Sequence, residues 1–422
     1  MNERNMIRPL IDWTQSQITA HESWRRRCLN LIASENHSSK LVSQLQCNDF
    51  MHRYTYWLDD NPLTRYYQGC RYVREVELKA IDLAKETFQA DYADIRPISG
   101  MTANLGVLLG LTRPNDLVIE CGRDIGGHMT ATKLTSSKII NIRVMDYPAD
   151  TTRYNIDVEK AKALILNEKP RLLTLGASIF PFPHPVEEIV EAAKEAGAYV
   201  SYDASHVLGL IAGGQFQRPL DEGVDIMLGS THKTFAGPQG GLILSRNLEA
   251  FKLIKLCPNV VDNHHSNRIP ALIAALTEYQ EFGKSYAIQT INNAKALGAA
   301  MSSLGFEVLF KEQGFTKSHT ILVDVSRYGQ GRMVAQKLEE GGIIVNGMQV
   351  PRDVVSKSPF PTGVRIGVQE MTRFGMRESE MRTIAGFFKE ILIDTKDPKK
   401  VWVDVARFRS DYQDLKYCYE AN

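Results

Sequence analysis

The sequence has no excess of charge of either sign. It contains 50 lysine and arginine residues against 49 aspartate and glutamate residues, which gives a formal net charge of +1. A balanced chain creates no strong field for nucleic acid or for an anionic membrane surface. We therefore expect small-molecule substrates and no nucleic-acid partner.

Long apolar runs are also missing. No stretch approaches the roughly 20 apolar residues that a membrane-spanning helix needs. The first residues, Met1–Asn5, lead into a polar amphipathic run rather than the apolar centre of a secretion signal. These features predict a cytoplasmic protein with no membrane partner.

Cysteine is scarce, and its spacing fits no common metal site. The six cysteines are Cys28, Cys47, Cys70, Cys121, Cys257 and Cys418. A chain of this length can bury a large core without disulfides, so buried free thiols are expected. We predict no metal ion. The sequence also shows no internal repeat and no low-complexity linker.

Strand-like and helical patterns alternate from about residue 95 to about residue 245. This order is typical of an α/β domain with a mainly parallel sheet and helices on both faces. At 422 residues the chain is expected to hold more than one domain. We predict an N-terminal helical arm over residues 1–45, a large domain over 46–285 and a smaller C-terminal α+β domain over 286–422.

A single lysine, Lys233, lies in a glycine-rich stretch between two strand-like runs. The runs are Val224–Leu228 and Gly241–Ser245, so the lysine is expected at a strand end, where α/β sheets carry ligands. A partly desolvated lysine has a lowered pKa and can act as an amine nucleophile. An exposed loop lysine is the alternative.

An acid stands thirty residues before this lysine. The strand-like run Ala198–Asp203 ends in a carboxylate, and His206 follows shortly after. Pyridoxal phosphate needs such an acid, because an aspartate beside the pyridinium nitrogen keeps it protonated and lets the ring accept electrons. Asp203 and Lys233 together therefore predict a site for this cofactor.

Five short motifs make the sequence resemble the serine hydroxymethyltransferases, which have the type I (aspartate aminotransferase) fold of pyridoxal-phosphate enzymes. The motifs are Leu31–Asn36, Arg65–Cys70, Gly126–His128, Thr231–Thr234 and Gly363–Gly367. The resemblance implies a seven-stranded, mainly parallel sheet in the large domain and pyridoxal 5'-phosphate held covalently on Lys233. It also implies a homodimer whose active sites share residues across the interface.

The resemblance further implies the cofactor contacts. Ser99, Gly100, Met101 and Thr102 match the phosphate site at the start of a helix, where free amides and the helix dipole suit an anion; plain helix capping is the alternative. His128 matches a histidine that stacks on the cofactor ring, unless it is a solvated loop residue. The other expected contacts are Ser178, Asp203, His206, Ser230 and His232.

The implied substrate contacts are Ser34, Tyr54, Tyr67 and Arg365. A planar guanidinium binds an amino acid's carboxylate through two parallel bonds, which suits Arg365. In the family the tyrosines reach the site from the neighbouring subunit. Turn capping for Ser34, packing for the tyrosines and a surface salt bridge for Arg365 remain alternatives. We expect Lys233, Asp203, His128, Tyr54 and Tyr67 to be catalytic.

The sequence departs from the family at several positions. Tyr56 stands where the family has a glutamate, and a phenol with a pKa of about 10 cannot replace a carboxylate of about 4.3 as a resting base. Met348 stands where a folate-binding asparagine is usual, Gln239 where arginine is frequent, and Cys257–Asn267 where a glycine-rich turn is usual. For His264 and His265 we favour phosphate or interface hydrogen bonds over a metal.

The segment Cys257–Asn267 and the run Gly314–Thr316 make the sequence resemble the L-threonine transaldolase branch. Our main hypothesis is therefore folate-independent aldol exchange in specialised metabolism, such as antibiotic biosynthesis. Threonine or serine is cleaved between Cα and Cβ, and the glycine carbanion adds to another aldehyde. A folate-dependent serine hydroxymethyltransferase and a catalytically silent binding homologue are the alternatives. Candidates for the general base are His128, Tyr54 and Glu35.

Overall fold

The computed structural model describes residues 4–256 and 259–419. The helices are α1 Arg4–Arg25, α2 Lys40–Gln44, α3 Arg71–Phe88, α4 Gly100–Leu111, α5 Thr130–Ser136, α6 Val158–Glu168, α7 Val186–Ala196, α8 Leu208–Ala212, α9 Leu248–Leu253, α10 Arg268–Ser303, α11 Gly331–Glu340, α12 Pro351–Val355, α13 Gln369–Arg373, α14 Glu378–Leu392 and α15 Pro398–Ser410. No helix in these two ranges is long and apolar enough to cross a membrane.

The strands of the same ranges form two larger sheets and two short pairs. They are β1 Leu29–Asn30, β2 Tyr92–Asp94, β3 Leu117–Glu120, β4 Arg143–Asp146, β5 Ala149–Asp150, β6 Asn155–Ile156, β7 Leu172–Leu175, β8 Tyr199–Asp203, β9 Ile226–Ser230, β10 Gly241–Ser245, β11 Glu307–Val308, β12 Thr320–Asp324, β13 Ile343–Ile344, β14 Asn346–Met348 and β15 Gly363–Gly367.

The larger sheet has seven strands within the described residues, in the order β2-β10-β9-β8-β7-β3-β4. Strands β4, β3, β7, β8 and β9 pair in parallel, and β10 runs antiparallel to both β9 and β2. Its central strands are apolar and buried, as expected for a sheet covered on both faces. The predicted α/β fold with a mainly parallel seven-stranded sheet is confirmed.

The smaller sheet is antiparallel, in the order β11-β12-β15-β14. It packs with α11, α14 and the second half of α10 around a second hydrophobic cluster. Strand β1 joins this region by pairing in parallel with β13. The segment that follows the N-terminal helix is therefore anchored to the C-terminal part of the chain.

Helix α10 runs through both halves of the molecule. Its residues from Ile269 to Ala287 belong to the large-sheet core, and those from Ala294 to Met301 belong to the second cluster. The predicted domain boundary at residues 285 and 286 falls inside this helix. The three-domain division stays a prediction, because the two cores share one continuous element.

Several predicted details need correction. The N-terminal arm predicted as helical over residues 1–45 is helical only over Arg4–Arg25 and Lys40–Gln44, and Leu29 and Asn30 between them pair as a strand. Helix α3 ends at Phe88, followed by Gln89 in the left-handed conformation at a φ of 53°. Buried free thiols are found at Cys28, Cys70 and Cys121, but Cys47 is exposed. Cys257 lies outside the described residues.

Candidate active site

Lys233 lies three residues beyond β9, in the tight crossing that leads to β10. Burial lowers the pKa of its amine, Asp203 opposes this effect, and Arg365 and Lys133 lower the pKa further. An amine whose charged form is disfavoured is a better nucleophile at neutral pH. The lysine is thus partly buried at a strand end, as its sequence context predicts.

The chain after Lys233 is held rigidly. The hydroxyl of Thr234 donates to the carbonyl of His206 over 2.8 Å and accepts from the amide of Gly209 over 3.0 Å. The hydroxyl of Tyr279 donates to the carbonyl of Thr234. These bonds tie the backbone next to the lysine to the start of α8 and to α10, so the main chain that carries the Lys233 side chain has a fixed position.

Asp203 ends β8 and its carboxylate is held by two donors. Asn104 Nδ2 donates to Oδ2 over 2.8 Å, and the amide of Ser205 donates to Oδ1 over 2.9 Å. On its other side the backbone of Gly176 lies so close that an added Cβ would stand 2.4 Å from the carbonyl oxygen of Asp203. The orientation of the carboxylate is therefore fixed by α4, by its own turn and by the neighbouring strand end.

His128 lies in the loop after β3. Burial lowers the pKa of its imidazole, and the nearby carboxylate of Asp203 raises it. Its Nδ1 stands 2.6 Å from the hydroxyl of Thr130. The loop can turn there because Gly127 has no side chain: an added Cβ would collide with the carbonyl of Cys121 at 1.7 Å. A neutral imidazole is thus placed beside Asp203.

The predicted phosphate residues form the start of α4. Ser99 is the N-cap, and its hydroxyl accepts from the amide of Thr102 over 3.1 Å and lies 2.9 Å from the Thr102 hydroxyl. The amides of Gly100 and Met101 have no acceptor within the helix, as is general for the first turn. The start of α4 therefore offers backbone donors and the positive dipole end.

Two further hydroxyls close this helix start. An added Cβ on Gly100 would stand 2.4 Å from Ser230 Oγ and 2.8 Å from Ser205 Oγ. Ser205 Oγ in turn accepts from the amide of Ser230 over 3.0 Å. The strand ends of β8 and β9 and the first turn of α4 therefore converge on one small polar concavity, where a side chain at position 100 would displace the two serine hydroxyls.

The other residues expected to contact the cofactor lie near this concavity. The Nδ1 atoms of His206 and His232 are buried without a hydrogen-bond partner in the described chain. Burial holds the pKa of His206 well below its ordinary value and also lowers that of His232. Ser178 follows β7, and its carbonyl accepts from Arg365. Both nitrogen atoms are therefore free to bond a ligand or a water molecule.

Arg365 lies in the middle of β15 and is buried, with 6% of its surface exposed. Its Nη1 donates to the carbonyl of Ser178 over 2.6 Å, and its Nε donates to Asn346 Oδ1 over 3.3 Å. Burial lowers its pKa to about 10. Arg365 forms no ion pair with any carboxylate of the described residues, so the surface salt bridge considered for it is wrong.

The loop Leu31–Asn36 runs beside these groups and carries Ser34. Asn36 Nδ2 donates to the carbonyl of Lys233 over 2.8 Å. Gln369 Nε2 donates to the carbonyls at both sides of Ser34, those of Ile32 and Glu35. The side chain of Glu35 pairs with Arg25 at 2.6 Å. The loop thus connects the lysine backbone to the small-domain sheet.

Tyr54 and Tyr67 form a separate group in the single chain. Both rings are partly exposed and contact each other edge to face at 5.0 Å. The hydroxyl of Tyr54 donates to Asp262 Oδ2 over 3.0 Å. The two tyrosines are therefore joined to each other, and Tyr54 is joined to Asp262.

A buried network lies behind the tyrosine loop, which we call the glutamate cluster: Glu77, Trp57, Arg65 and His264. Glu77 accepts from Trp57 Nε1 over 2.9 Å, pairs with Arg65 and stands 2.7 Å from His264 Nε2. His264 is thus bonded inside the chain through Nε2, and the expectation of phosphate or interface hydrogen bonds for His264 and His265 stays a prediction. In the described parts of the chain no three potential ligands gather as a metal site.

Comparison with known proteins places the chain in a family. The sequence profile of the serine hydroxymethyltransferases matches residues 11–388. The chain belongs to the serine hydroxymethyltransferase family. It is 48% identical over 410 residues to a serine hydroxymethyltransferase of Pyrococcus furiosus, covering 96% of this chain and 95% of that protein. A Methanocella arvoryzae relative of the same name is 43% identical over 418 residues, covering 99% and 98%.

A solved structure shows the same fold. The L-threonine transaldolase from Pseudomonas fluorescens superposes with a TM-score of 0.89 at 27% identity, over 98% of this chain and 95% of that one. The type I fold expected from the resemblance is confirmed. The two curated hydroxymethyltransferases are nearer in sequence than this transaldolase, although both kinds share the architecture of the family.

Enzymes of the serine hydroxymethyltransferase family use pyridoxal phosphate, and the residues of this chain fit that cofactor. The concavity at Gly100 offers donors for a phosphate, and Lys233 and Asp203 stand as the amine and the acid. His206 and His232 keep buried nitrogen atoms without partners. These features match a polar, anionic and aromatic ligand, so the resemblance and the geometry agree.

Several residues of this family member escaped prediction from sequence. Asn104 and Ser205 hold Asp203, Glu77 organises the glutamate cluster, and His319 packs behind the site. A signal existed for Asn104, because it is a polar residue on the otherwise apolar helix α4 five positions after Ser99. The other three had no local signal.

Proposed function

We propose that the protein is a pyridoxal-phosphate enzyme that interconverts serine and glycine by transferring the hydroxymethyl carbon to a folate-type carrier. The observation that carries the proposal is the buried guanidinium of Arg365, which lacks a carboxylate partner among the described residues and lies near Lys233. A buried cation of this kind is costly unless a ligand pairs with it. An amino acid's carboxylate is the matching anion.

The chain's residues would hold the cofactor as follows. Lys233 holds it covalently, Asp203 bonds the ring nitrogen, and Ser99 and Gly100 with the hydroxyls near them receive the phosphate. When bound, the cofactor supplies an electron sink for negative charge on the substrate α-carbon. Because Asn104 and Ser205 fix the carboxylate of Asp203, this carboxylate would need no reorientation to bond the ring nitrogen.

Arg365 orients the amino acid. Its two hydrogen bonds, to the carbonyl of Ser178 and to Asn346, hold the guanidinium plane in place, so the substrate's carboxylate binds in one orientation. A fixed carboxylate fixes the α-carbon bonds relative to Lys233 and Asp203. The oriented substrate then presents its β-hydroxyl to the base that removes its proton.

Among the three candidates for that base, His128 is best supported. Its imidazole is held neutral by burial and lies near Asp203 and Lys233. Glu35 pairs with Arg25, and the hydroxyl of Tyr54 donates to Asp262. His128 would accept the β-hydroxyl proton, and the two other groups are occupied in the single chain.

Sequence similarity supports hydroxymethyl transfer over our initial hypothesis of aldol exchange. The relatives named serine hydroxymethyltransferase are 43% to 48% identical to this chain, whereas the transaldolase structure is 27% identical. Aldol exchange without folate remains the second candidate. Tyr56 and Met348, at positions where the family carries a glutamate and an asparagine for the folate reaction, favour it.

The test uses purified holoprotein and follows products by mass. Serine with tetrahydrofolate is expected to give glycine, and threonine with an aromatic aldehyde is expected to give little exchange. The reverse result supports the second candidate. The variant K233Q should lose both the visible absorbance of the cofactor and the reaction, whereas K133Q, which removes a neighbouring lysine, should keep the absorbance. A colourless wild-type protein would contradict both candidates.

We also propose a homodimer. Helix α1 exposes an apolar face within the single chain, formed by Leu10, Ile11, Trp13 and Ile18, and Trp13 is 58% exposed. Exposed apolar surface of this kind supports a protein interface. Sedimentation of the purified protein should give twice the chain mass of 47.5 kDa, and the charged variant W13E should shift it toward the monomer.

A further inference from the structure

His319 has no place in the roles described so far, yet it is fully buried one residue before β12. Its Nε2 stands 3.1 Å from the carbonyl oxygen of Ala33. A carbonyl can only accept, so Nε2 carries the proton and donates. The imidazole therefore holds the peptide that directly precedes Ser34.

The same ring also contacts the cofactor side of the cleft. It stacks on His206 with ring centroids 6.0 Å apart and an interplanar angle of 18°. The carbonyl of His206 accepts from Thr234, the neighbour of Lys233. His319 thus touches the loop Leu31–Asn36 on one edge and the histidine beside the lysine on its face.

The loop has no other side-chain anchor at its centre in the described structure. The amide of Gly367 donates to the carbonyl of Leu31, and Gln369 donates to those of Ile32 and Glu35. These bonds fix the two ends of the loop. His319 alone holds the carbonyl of Ala33 between them.

The charge state of the pair suits its surroundings. Burial lowers the pKa of His319 to about 3 and that of His206 well below its ordinary value, so both rings are neutral. Arg365 and Lys233 lie close enough to oppose protonation of either ring. A neutral imidazole can donate to Ala33 without adding a third cation to the cleft.

We propose that His319 is a positioning residue for amino-acid binding: it holds the Ala33–Ser34 peptide beside Gly367 of β15 while its own ring packs on His206. The inference rests on the proposed function and on the family resemblance, which implies that Ser34 in this loop contacts the amino-acid substrate. It predicts that loss of the single bond to Ala33 weakens amino-acid binding while cofactor binding is kept.

The test compares two substitutions of equal length. H319Q keeps a side-chain N–H that can reach Ala33, and H319M fills the same space without a donor. Glycine and serine binding is measured by the change in visible absorbance of the holoprotein, and cofactor affinity is measured separately by dilution. We expect H319M to raise the amino-acid dissociation constant about three- to tenfold, the range for one neutral hydrogen bond, and H319Q to stay within about twofold of wild type.

Equal weakening in both variants would overturn the proposal, as would failure of both to fold or to bind the cofactor, since the role would then be structural. The proposed function fails separately, because amino-acid binding is observed without any transfer step. If serine gives no glycine but the two variants still differ, the inference stands and the hydroxymethyl transfer does not.

Discussion

Two buried charges in this molecule are treated in opposite ways. Arg365 has no carboxylate partner in the described chain and donates only to a carbonyl and to an amide. Glu77, in the glutamate cluster, is bonded by Trp57, Arg65 and His264. Both side chains are removed from water, yet only one has its charge neutralised by the protein.

The contrast shows how a binding charge differs from a structural one. Burying a charge costs several kcal/mol unless partners replace its hydration. The protein itself supplies the partners of Glu77, so removal of the carboxylate leaves these buried groups without their hydrogen-bond acceptor. Under the proposed function the opposite charge at Arg365 comes from the amino-acid substrate, and the protein would give up stability to keep that site ready.

The largest expected effect comes from R365M. Loss of two charge-assisted bonds to a carboxylate should raise the serine KM about a hundredfold to a thousandfold. The free energy of unfolding should fall by less than about 1 kcal/mol, or rise, because an unpaired buried cation is removed. Steady-state kinetics and urea unfolding measure the two quantities.

The control is the same change at a paired arginine. Arg373 is buried and pairs with the buried Glu278 at 3.2 Å. R373M should therefore destabilise the fold by about 3 kcal/mol. If R365M proves as destabilising as R373M, Arg365 is a structural charge and the comparison fails.

The next effect is on stability alone. E77Q leaves Arg65 and His264 without their anion inside the protein and should lower the free energy of unfolding by about 3 kcal/mol. Denaturant unfolding at fixed cofactor concentration measures it. The serine KM should change less than about twofold. A matched change, E75Q on the exposed face of the same helix, should cost less than about 0.5 kcal/mol.

A smaller effect on stability is expected at Glu370, whose buried carboxyl group is only partly compensated by its neighbours. Glu370 is buried, and Asn30 Nδ2 donates to one of its oxygens over 2.8 Å. Burial raises its pKa to about 7, while Arg25 lowers it. In the unfolded chain a glutamate titrates near about 4.3, so between these values the folded state binds the extra proton. Stability should therefore fall as pH rises through this window.

E370Q should remove that slope. The variant is expected to match wild type at pH 5 and to exceed its free energy of unfolding at pH 8 by about 1 to 3 kcal/mol. Urea unfolding at both pH values checks the prediction. Parallel pH profiles for the two proteins would show that Glu370 is ionised in the fold throughout.

The parts of the site that sequence predicted are those with a local signature. Lys233 stands in a glycine-rich crossing, Asp203 ends an apolar run, and Gly126–His128 is a short motif. Each can be read within a few residues because strand ends and tight turns impose their own residue types. The mainly parallel sheet could be predicted for the same reason, because strand-like and helical patterns alternate along the sequence.

The parts that were missed depend on contacts between distant segments. Glu77 and His264 are separated by 187 positions, and His319 and Ala33 by 286. No pattern within a window reveals such pairs, and a lone buried histidine looks like any other. The contact of His264 with Glu77 escaped prediction for this reason, since Glu77 lies on α3. Strand pairing between distant segments also changed the extent of the N-terminal helical arm, because Leu29 pairs with Ile343.

One continuous helix, α10, is embedded in both hydrophobic clusters over its 36 residues. At 1.5 Å per residue it is a rod of about 54 Å. The large sheet, next to which Lys233 lies, packs on the first half of α10, and the small sheet with Arg365 packs on the second half. The two sheets cannot move apart unless this helix bends. A hinged opening of the whole cleft would therefore have to include a bend in α10.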